Sequence, residues 1–357
     1  MNTESRSRKG RSWLIMRQVA LGLLGLLLFI FALGLMKEGA GSLAPLLRNH
    51  LQVDNTVDSM GFGWLTAYLI QSGSPVAAAA ISLLSADVFT PLQAYMAVAG
   101  SRLGAGLMVL QLGIIYVLQG HEHRTALSAG ILSLLLTGSV MIVSLPMGIV
   151  FLRSGWLHGI SLPMLEGLAG GLDQAMKPLI TPLAAWLPGW AVFLIGVGVV
   201  TVSFQLIDSA LSKLDLKQTT LGQANRLIYR PPIMFLLGFL VTLVTLSVSI
   251  SLGILVPLSA RGYMRRENII PYVMGANIST LIDTLVAAML LGDSRGVAIV
   301  FSHMAAATVV SLLVIVFAYS AYERSVSRLL GWIVRKRLHF AIFLGLMIIT
   351  PLILVFL

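Results

Sequence analysis

The sequence has no cysteine and little charge. Without cysteine, the chain cannot form a disulfide, a thiolate zinc site or a cysteine nucleophile. Only 11% of its 357 residues are charged and 57% are hydrophobic, whereas a soluble domain carries about a quarter charged residues. The chain therefore has too little polar surface for a water-soluble protein, and its composition predicts an integral membrane protein.

The common sequence motifs of enzymes are also missing. The chain contains no HExxH, GxSxG or Walker sequence, and we therefore expect neither catalysis nor ATP-driven pumping. The HEH sequence at 121–123 offers two histidines without further partners. Because a zinc site needs three or four ligands, we expect these histidines to be solvated and predict no metal or cofactor.

Long apolar runs recur from one end of the chain to the other. A run of about 18 residues or more can cross the hydrocarbon core of a bilayer as a helix. Such runs predict seven full spans, at about 18–36, 91–118, 126–151, 190–212, 268–291, 297–319 and 340–357. The first run is too long for the apolar part of a signal peptide, and no A-x-A-like cleavage site follows it. We therefore interpret it as the first span.

Two further apolar stretches, about 60–85 and 233–258, have small polar residues at their middle. These are QSGSP at 71–75 and SVSIS at 247–251. A break at either cluster would leave two half-helices that are each too short to cross the membrane. We predict that both stretches are re-entrant hairpins, which enter and leave on the same side.

The basic residues indicate how the chain is oriented. With a cytoplasmic N-terminus, the inside segments hold 18 Lys and Arg and the outside segments hold 5, as the positive-inside rule requires. These inside segments are 1–17, 119–125, 213–231, 259–267 and 320–339. Because the net charge of +10 is explained by these loops, we do not expect nucleic acid as a partner. A short chain of this kind fits a bacterial inner membrane.

The chain also contains an internal repeat. Eight residues recur when the sequence is shifted by 175 positions, and they are Gly63, Leu65, Ser72, Ser74, Leu83, Val98, Gly100 and Leu110. Both copies have the order span, hairpin, span, and the charge distribution gives the copies opposite orientations. An inverted repeat of this kind is common in secondary transporters.

The predicted fold is therefore an all-α integral membrane protein of two inverted repeats, each with a re-entrant hairpin. Repeat 1 covers 18–151 and repeat 2 covers 190–319, and an external connection at 152–189 joins them. A basic tail at 1–17 precedes the repeats. A cytoplasmic basic segment at 320–339 and a last span at 340–357 follow them.

The serine clusters at the hairpin tips are candidate anion-binding groups. The half-helix that begins after each cluster points free N–H groups and the positive end of its dipole at the cluster. The hydroxyls of Ser72, Ser74, Ser247 and Ser249 add donors. The alternative is that these small residues only permit close helix packing or cap helix ends.

The motif residues resemble those of the type II sodium/phosphate cotransporter family, whose copies carry a QSSS motif and a GANIGTT-like segment. Gln71, Ser72 and Ser74 match QSSS with Gly73 in place of the middle serine, and Ser247 and Ser249 match its second occurrence. The segment 275–280 reads GANIST, whereas 100–106 reads GSRLGAG and has Arg102 in place of the asparagine.

The resemblance implies that the QSSS residues bind phosphate and that Asn277 and Thr280 contact a cation or the substrate, with sodium as the coupling ion. Several sodium-coordinating oxygens of the family are missing from the first copy.

Arg102 and Asp283 are ionisable residues inside predicted spans. A charge in the bilayer interior costs several kcal/mol unless it is paired or solvated, so both are functional candidates. Arg102 could pair with Asp283 and lock the two repeats together, or it could face a cavity and bind the substrate anion. Asp283 could also carry a proton or a cation. Gln205 and Asp208 lie nearer a span end, and for these we favour solvated packing.

These patterns predict a secondary transporter of inorganic phosphate or a similar oxyanion, working by alternating access. The main alternative is a channel-like or regulatory membrane protein that keeps the fold but has lost coupled transport. A membrane enzyme that acts on lipid phosphates is disfavoured, because the sequence offers no nucleophile and base pair.

Overall fold

The structure is a computed structural model, and it describes residues 2–51, 53–118, 123–155, 163–211, 230–245, 251–252 and 266–356. The described residues form helices joined by short connections. In chain order these are α1 (Asn2–Ala40), α2 (Ala44–Asn49), α3 (Thr56–Ile70), α4 (Gly73–Ser85), α5 (Pro91–Leu118), α6 (His123–Arg153), α7 (Pro163–Trp186), α8 (Gly189–Leu211), α9 (Pro231–Thr245), α10 (Arg266–Ser279), α11 (Ile282–Leu290), α12 (Ser294–Leu313), α13 (Tyr319–Arg335) and α14 (Arg337–Val355).

The chain is a multi-pass membrane protein of the all-α class. Within the described residues, seven helical stretches are long and apolar enough to cross a bilayer. They are Met16–Asn49, Pro91–Ile115, Leu127–Arg153, Gly189–Ala210, Glu267–Leu290, Ser294–Arg335 and Arg337–Val355. The predicted fold class is confirmed at this level, and each stretch overlaps one of the seven predicted spans.

The first serine cluster coincides with a break between two short helices. Asn55 caps the start of α3 by accepting hydrogen bonds from the N–H groups of Val57 and Asp58. The helix ends where Gln71 adopts the left-handed conformation, with a φ of 55°. Extended backbone at Ser72 then leads into α4. With 15 and 13 residues, α3 and α4 are about 22 and 20 Å long, too short for either to cross the core alone.

The helix α4 is enclosed by protein along most of its length. Its core-facing residues are small or aliphatic, and Ala77, Ile81 and Leu84 are fully buried. They belong to one hydrophobic cluster with residues of α1, α5, α8 and α11. A broken helix is tolerated at membrane depth only inside protein or beside a watery cavity, and the surroundings of α4 meet that condition.

The second predicted hairpin is described in part. Its first half is α9, whose bounds lie 175 residues after those of α3. Ser251 and Leu252 are helical and buried. Ser247 and Ser249 lie outside the described residues, so the predicted second tip is not covered by the structure.

Other bounds differ from the sequence prediction. The span predicted at 268–291 is interrupted, because α10 ends at Ser279 and α11 begins at Ile282. Here the N–H of Leu281 donates to the carbonyl of Ile278 three residues earlier, which tightens the turn. The basic segment predicted at 320–339 is largely the helix α13, which follows a π-helical turn at Val314–Ala318.

Two helix crossings use glycines that are 175 residues apart. A Cβ atom at Gly63 would collide with the carbonyl oxygen of Ala97, and one at Gly100 would collide with that of Met60. The crossing of α9 and α10 repeats this pattern at the offset positions. There, Gly238 lies against the carbonyl of Tyr272 and Gly275 against that of Phe235.

The helices α1 and α8 pack antiparallel, and α8 lies within the range that a shift of α1 by 175 residues gives. Gly25 lies against Ile207, whereas Gly39, further along α1, lies against Phe193 near the start of α8. The Ser203 hydroxyl donates to the carbonyl of Gly25 at 2.7 Å. Between these contacts, Phe29 and Phe204 meet edge to face with their ring centroids 5.3 Å apart. These two phenylalanines are themselves 175 residues apart.

Candidate functional site

A cavity of about 200 Å³ lies at the break between α3 and α4. Its walls come from the break, from α5, from α8 and from the turn after α10. The described lining residues are Ile70, Gln71, Ser72, Gly73, Ser74, Arg102, Ala105, Met108, Thr201, Phe204, Gln205, Asp208 and Thr280. The structure thus brings the predicted first tip together with Arg102 and Thr280.

Helical periodicity explains which residues of α8 line the cavity. Thr201, Phe204, Gln205 and Asp208 follow the spacing i, i+3, i+4 and i+7, so they form one stripe along the helix. The sequence interpretation of Gln205 and Asp208 as ordinary solvated residues near a span end missed this stripe. A 3.6-residue periodicity test on the polar residues of this span could have found it.

The N-terminus of α4 faces this cavity. Ser72, at the N-cap position, is extended and makes no side-chain cap hydrogen bond. The first N–H groups of a helix have no intrahelical acceptor. Those of Gly73 and Ser74 are therefore available to a ligand, and the helix dipole favours a negative one.

Gly73 allows the tip to lie directly on α5. A Cβ at this position would lie 2.8 Å from the Ser101 carbonyl oxygen and 2.9 Å from the Ala105 Cβ. A serine, which the resembled family has here, would push the tip away from α5. The close approach brings the α4 N-terminus beside the turn of α5 that carries Arg102.

Arg102 is buried, with 5% of its surface exposed. Its Nη1 donates to the Thr280 hydroxyl at 3.1 Å, and its Nη2 donates to the Thr284 hydroxyl at 3.0 Å. Among the described residues, its Nε has no hydrogen-bond partner. Two threonines therefore hold the guanidinium, and within the described residues the Nε–H group is unused.

Asp283 lies near Arg102 without a direct hydrogen bond to it. The Arg102 Nη2 and Asp283 Oδ1 atoms are 3.8 Å apart. Oδ1 accepts hydrogen bonds from the N–H and the hydroxyl of Thr284, and Oδ2 has no partner within the described part of the chain. The geometry thus combines both interpretations of Arg102, because the residue lines the cavity and also has a carboxylate close enough to balance its charge.

The three residues predicted to contact a cation are not together. Thr280 lines the cavity, whereas Asn277 and Asp283 are absent from its described lining. The Asn277 side-chain amide instead exchanges hydrogen bonds with the Thr137 hydroxyl, at 3.0 and 3.4 Å. Thr284, which sequence reasoning did not select, contacts Arg102 directly. In the described ranges, no group of three or more His, Asp or Glu side chains could hold a metal ion.

A second charged cluster joins the two copies away from this cavity. Arg295 donates to Asp87 at 2.7 Å, to Asp293 at 2.9 Å and to the carbonyl of Leu84 at 3.2 Å. Burial raises the pKa of Asp293, but the hydrogen bonds and the charge of Arg295 lower it by more, so the pKa lies below its ordinary value. The cluster ties the C-terminal end of α4 to the start of α12.

Comparison of the chain with protein-family models, with curated proteins and with solved structures finds no match.

Proposed function

We propose that this chain is a secondary transporter of a small inorganic oxyanion, with inorganic phosphate as the prime candidate. The observation that carries the proposal is one small cavity lined both by a buried arginine with an unused donor and by the N-terminus of a broken helix. Both groups favour a negative charge.

The size of the cavity favours an inorganic ion over an organic substrate. Pockets for drug-sized ligands measure roughly 300–1,000 Å³, and this cavity is about 200 Å³. The cost of burying a charge at membrane depth gives a further argument, because a buried arginine is rarely kept without a role. The backbone N–H groups of Gly73 and Ser74 and the hydroxyl of Ser72 would complete the anion site.

The internal repeat supports transport by alternating access. We propose that the chain consists of two inverted repeats, each with a re-entrant hairpin, of which α3 and α4 form the first. The offset glycine crossings and the antiparallel pair α1 and α8 support this arrangement. The cavity is lined by α4 and α5 from one repeat and by α8 and Thr280 from the other, so relative motion of the repeats would change access to it.

The coupling ion is proposed from the family resemblance to be sodium. Arg102 occupies the position that corresponds to Asn277 of the second copy. A fixed positive charge therefore stands where the second copy has a neutral side chain that the resemblance assigns to cation or substrate contact. A bound cation is therefore not needed to make this part of the cavity attractive to an anion. We expect a weaker dependence of anion affinity on sodium than two intact motifs would give.

The alternative is a channel-like or regulatory protein, and one observation favours it. The hydrogen bonds of Arg102 to Thr280 and Thr284 link the two copies, and a link of this kind would resist their relative motion. Transport assays distinguish the two functions. A coupled transporter concentrates phosphate above equilibrium under an imposed ion gradient, whereas a channel only equilibrates it.

The test is uptake of labelled phosphate into proteoliposomes, with and without an imposed sodium gradient. We expect uptake above equilibrium by the unmodified protein and its loss in Arg102→Gln. Arg153→Gln is the matched control, because Arg153 is exposed at the end of α6. Equilibration without accumulation would favour the channel, and the absence of any phosphate, arsenate or sulfate flux would overturn the proposal.

A further inference from the structure

The cavity contains an acidic residue as well as its positive groups. Asp208 is half-buried on the same stripe of α8 as Phe204 and Gln205, and it lines the cavity together with Arg102. A carboxylate repels an anion that has no proton to share. Its presence therefore bears on which oxyanions the cavity can accept.

The chemistry of the candidate oxyanions differs in one relevant respect. At neutral pH, phosphate and arsenate keep at least one acidic O–H group, whereas sulfate is fully deprotonated. An ionised carboxylate accepts hydrogen bonds and cannot donate them. Asp208 can therefore accept a hydrogen bond from phosphate or arsenate, whereas sulfate has no proton to share with it.

Asp208 and Arg102 line the same cavity from different helices. Asp208 follows Phe204 by one helical turn, a rise of about 6 Å. Arg102 and Ala105 lie on the turn of α5 that contacts the helix break. The cavity that both residues line has a volume of about 200 Å³.

We infer that Asp208 makes the site selective for oxyanions that carry a proton, by accepting a hydrogen bond from the O–H group of the bound ion. This inference rests on the proposed function and adds a rule for the choice of substrate. Gln205, one turn from Thr201 on the same stripe, can supply an amide donor to the remaining oxygens. A site that recognises a hydrogen-bonding group rejects analogues that lack it more strongly than a pocket that measures size alone.

The test is equilibrium binding of labelled phosphate to the purified full-length protein in detergent, with competition by unlabelled arsenate and sulfate. We expect arsenate to compete about as well as phosphate and sulfate to compete at least about tenfold more weakly. In Asp208→Asn, the side-chain amide can donate to a deprotonated oxygen. The preference for phosphate over sulfate should therefore fall by about tenfold or more. Asp208→Glu should keep the preference.

Asp173→Asn is the matched control, because Asp173 pairs with Lys177 on α7 and is not part of the described cavity lining. It should leave the order of competition unchanged. Equal competition by sulfate and phosphate in the unmodified protein would overturn the inference while leaving oxyanion transport intact, and so would an unchanged preference in a folded Asp208→Asn protein. Failure of the unmodified protein to bind any of the three ions would overturn the proposed function as well.

Discussion

Arg102 lies 175 positions before Asn277, and its larger, charged side chain is held by neighbouring polar residues. The hydroxyl oxygens of Thr280 and Thr284 accept hydrogen bonds from the guanidinium, and Asp283 lies 3.8 Å from it. The corresponding Asn277 needs only one threonine partner. The proposed repeats therefore differ in charge at this pair of positions, and the charged residue is the one that lines the cavity.

Removal of either charge from this pair should destabilise the protein. Arg102→Gln leaves Asp283 buried without a neighbouring positive charge, and we expect a loss of about 3 kcal/mol or more in the free energy of unfolding. The double variant Arg102→Gln with Asp283→Asn should recover part of that loss, because it leaves neither charge unbalanced. Chemical denaturation in detergent measures both effects. If the double variant also regains anion binding, Arg102 is a structural residue and not an anion ligand.

The cluster around Arg295 should make stability depend on acid. The pKa of Asp293 is lowered in the folded protein, so its contribution is present above its unfolded pKa of about 3.9 and is lost as the pH falls through the folded value. We expect the unfolding temperature to drop below about pH 4 and this drop to be smaller in Asp293→Asn. Asp173→Asn, at an exposed pair with Lys177, should keep the full drop. An identical acid profile in both variants would contradict this role for Asp293.

At the scale of secondary-structure elements, the break after α3 depends on a residue with an unfavourable backbone conformation. Gln71 has a φ of 55°, in the left-handed region where glycine is the residue favoured at the end of a helix. A residue other than glycine, asparagine or aspartate is uncommon there. Gln71 also lines the cavity. A role of its side-chain amide in the proposed anion site would explain why a residue with an unfavourable φ occupies this position.

Substitutions at Gln71 can separate the role of its backbone from that of its side chain. Gln71→Gly should keep or slightly raise stability, since glycine adopts this φ freely, but it should weaken anion binding because the amide is lost. Gln71→Val should destabilise the protein by about 1–3 kcal/mol, because a β-branched residue is strained at positive φ. Thermal unfolding and phosphate binding distinguish these effects. Unchanged anion affinity in Gln71→Gly would remove the side chain from the site.

The two equivalent helix crossings should be equally intolerant of side chains. At Gly100 and Gly275, a Cβ would collide with the carbonyl oxygens of Met60 and Phe235. Gly100→Ala and Gly275→Ala should each cost about 1–3 kcal/mol. Gly198→Ala is the control, because a Cβ at Gly198 has nothing within 4 Å, and this variant should gain up to about 1 kcal/mol of helix propensity. A large effect at only one crossing would show that the two are not energetically equivalent.

For the whole molecule, the sequence predicted the membrane class, the approximate spans and the position of the first break. These follow from local properties, namely apolar length and the small polar cluster at 71–75. The partners of Arg102 could not be predicted in this way. Thr280 and Thr284 are 178 and 182 residues away in sequence, and packing between helices brings them to Arg102. The interruption at 280–281 was missed for the same reason. No glycine or proline lies at it, and the turn is stabilised by its surroundings.

The orientation of the whole molecule can be tested with introduced cysteines, because the natural chain has none. Asp54 and Arg328 are exposed and lie on opposite sides of the membrane in the orientation predicted from the basic residues. A membrane-impermeant maleimide added to intact cells should label Asp54→Cys, and it should label Arg328→Cys only after permeabilisation. The reverse pattern would invert the predicted topology.

The contact between Phe29 and Phe204 has one further consequence. If the proposed inverted repeats exchange conformations during transport, the contact maps onto itself, because Phe29 and Phe204 are 175 positions apart. It would then persist at the pivot in both the inward-open and outward-open forms. Replacing both phenylalanines with smaller residues should therefore alter the rate at which the two forms interconvert much more than the ratio of their populations.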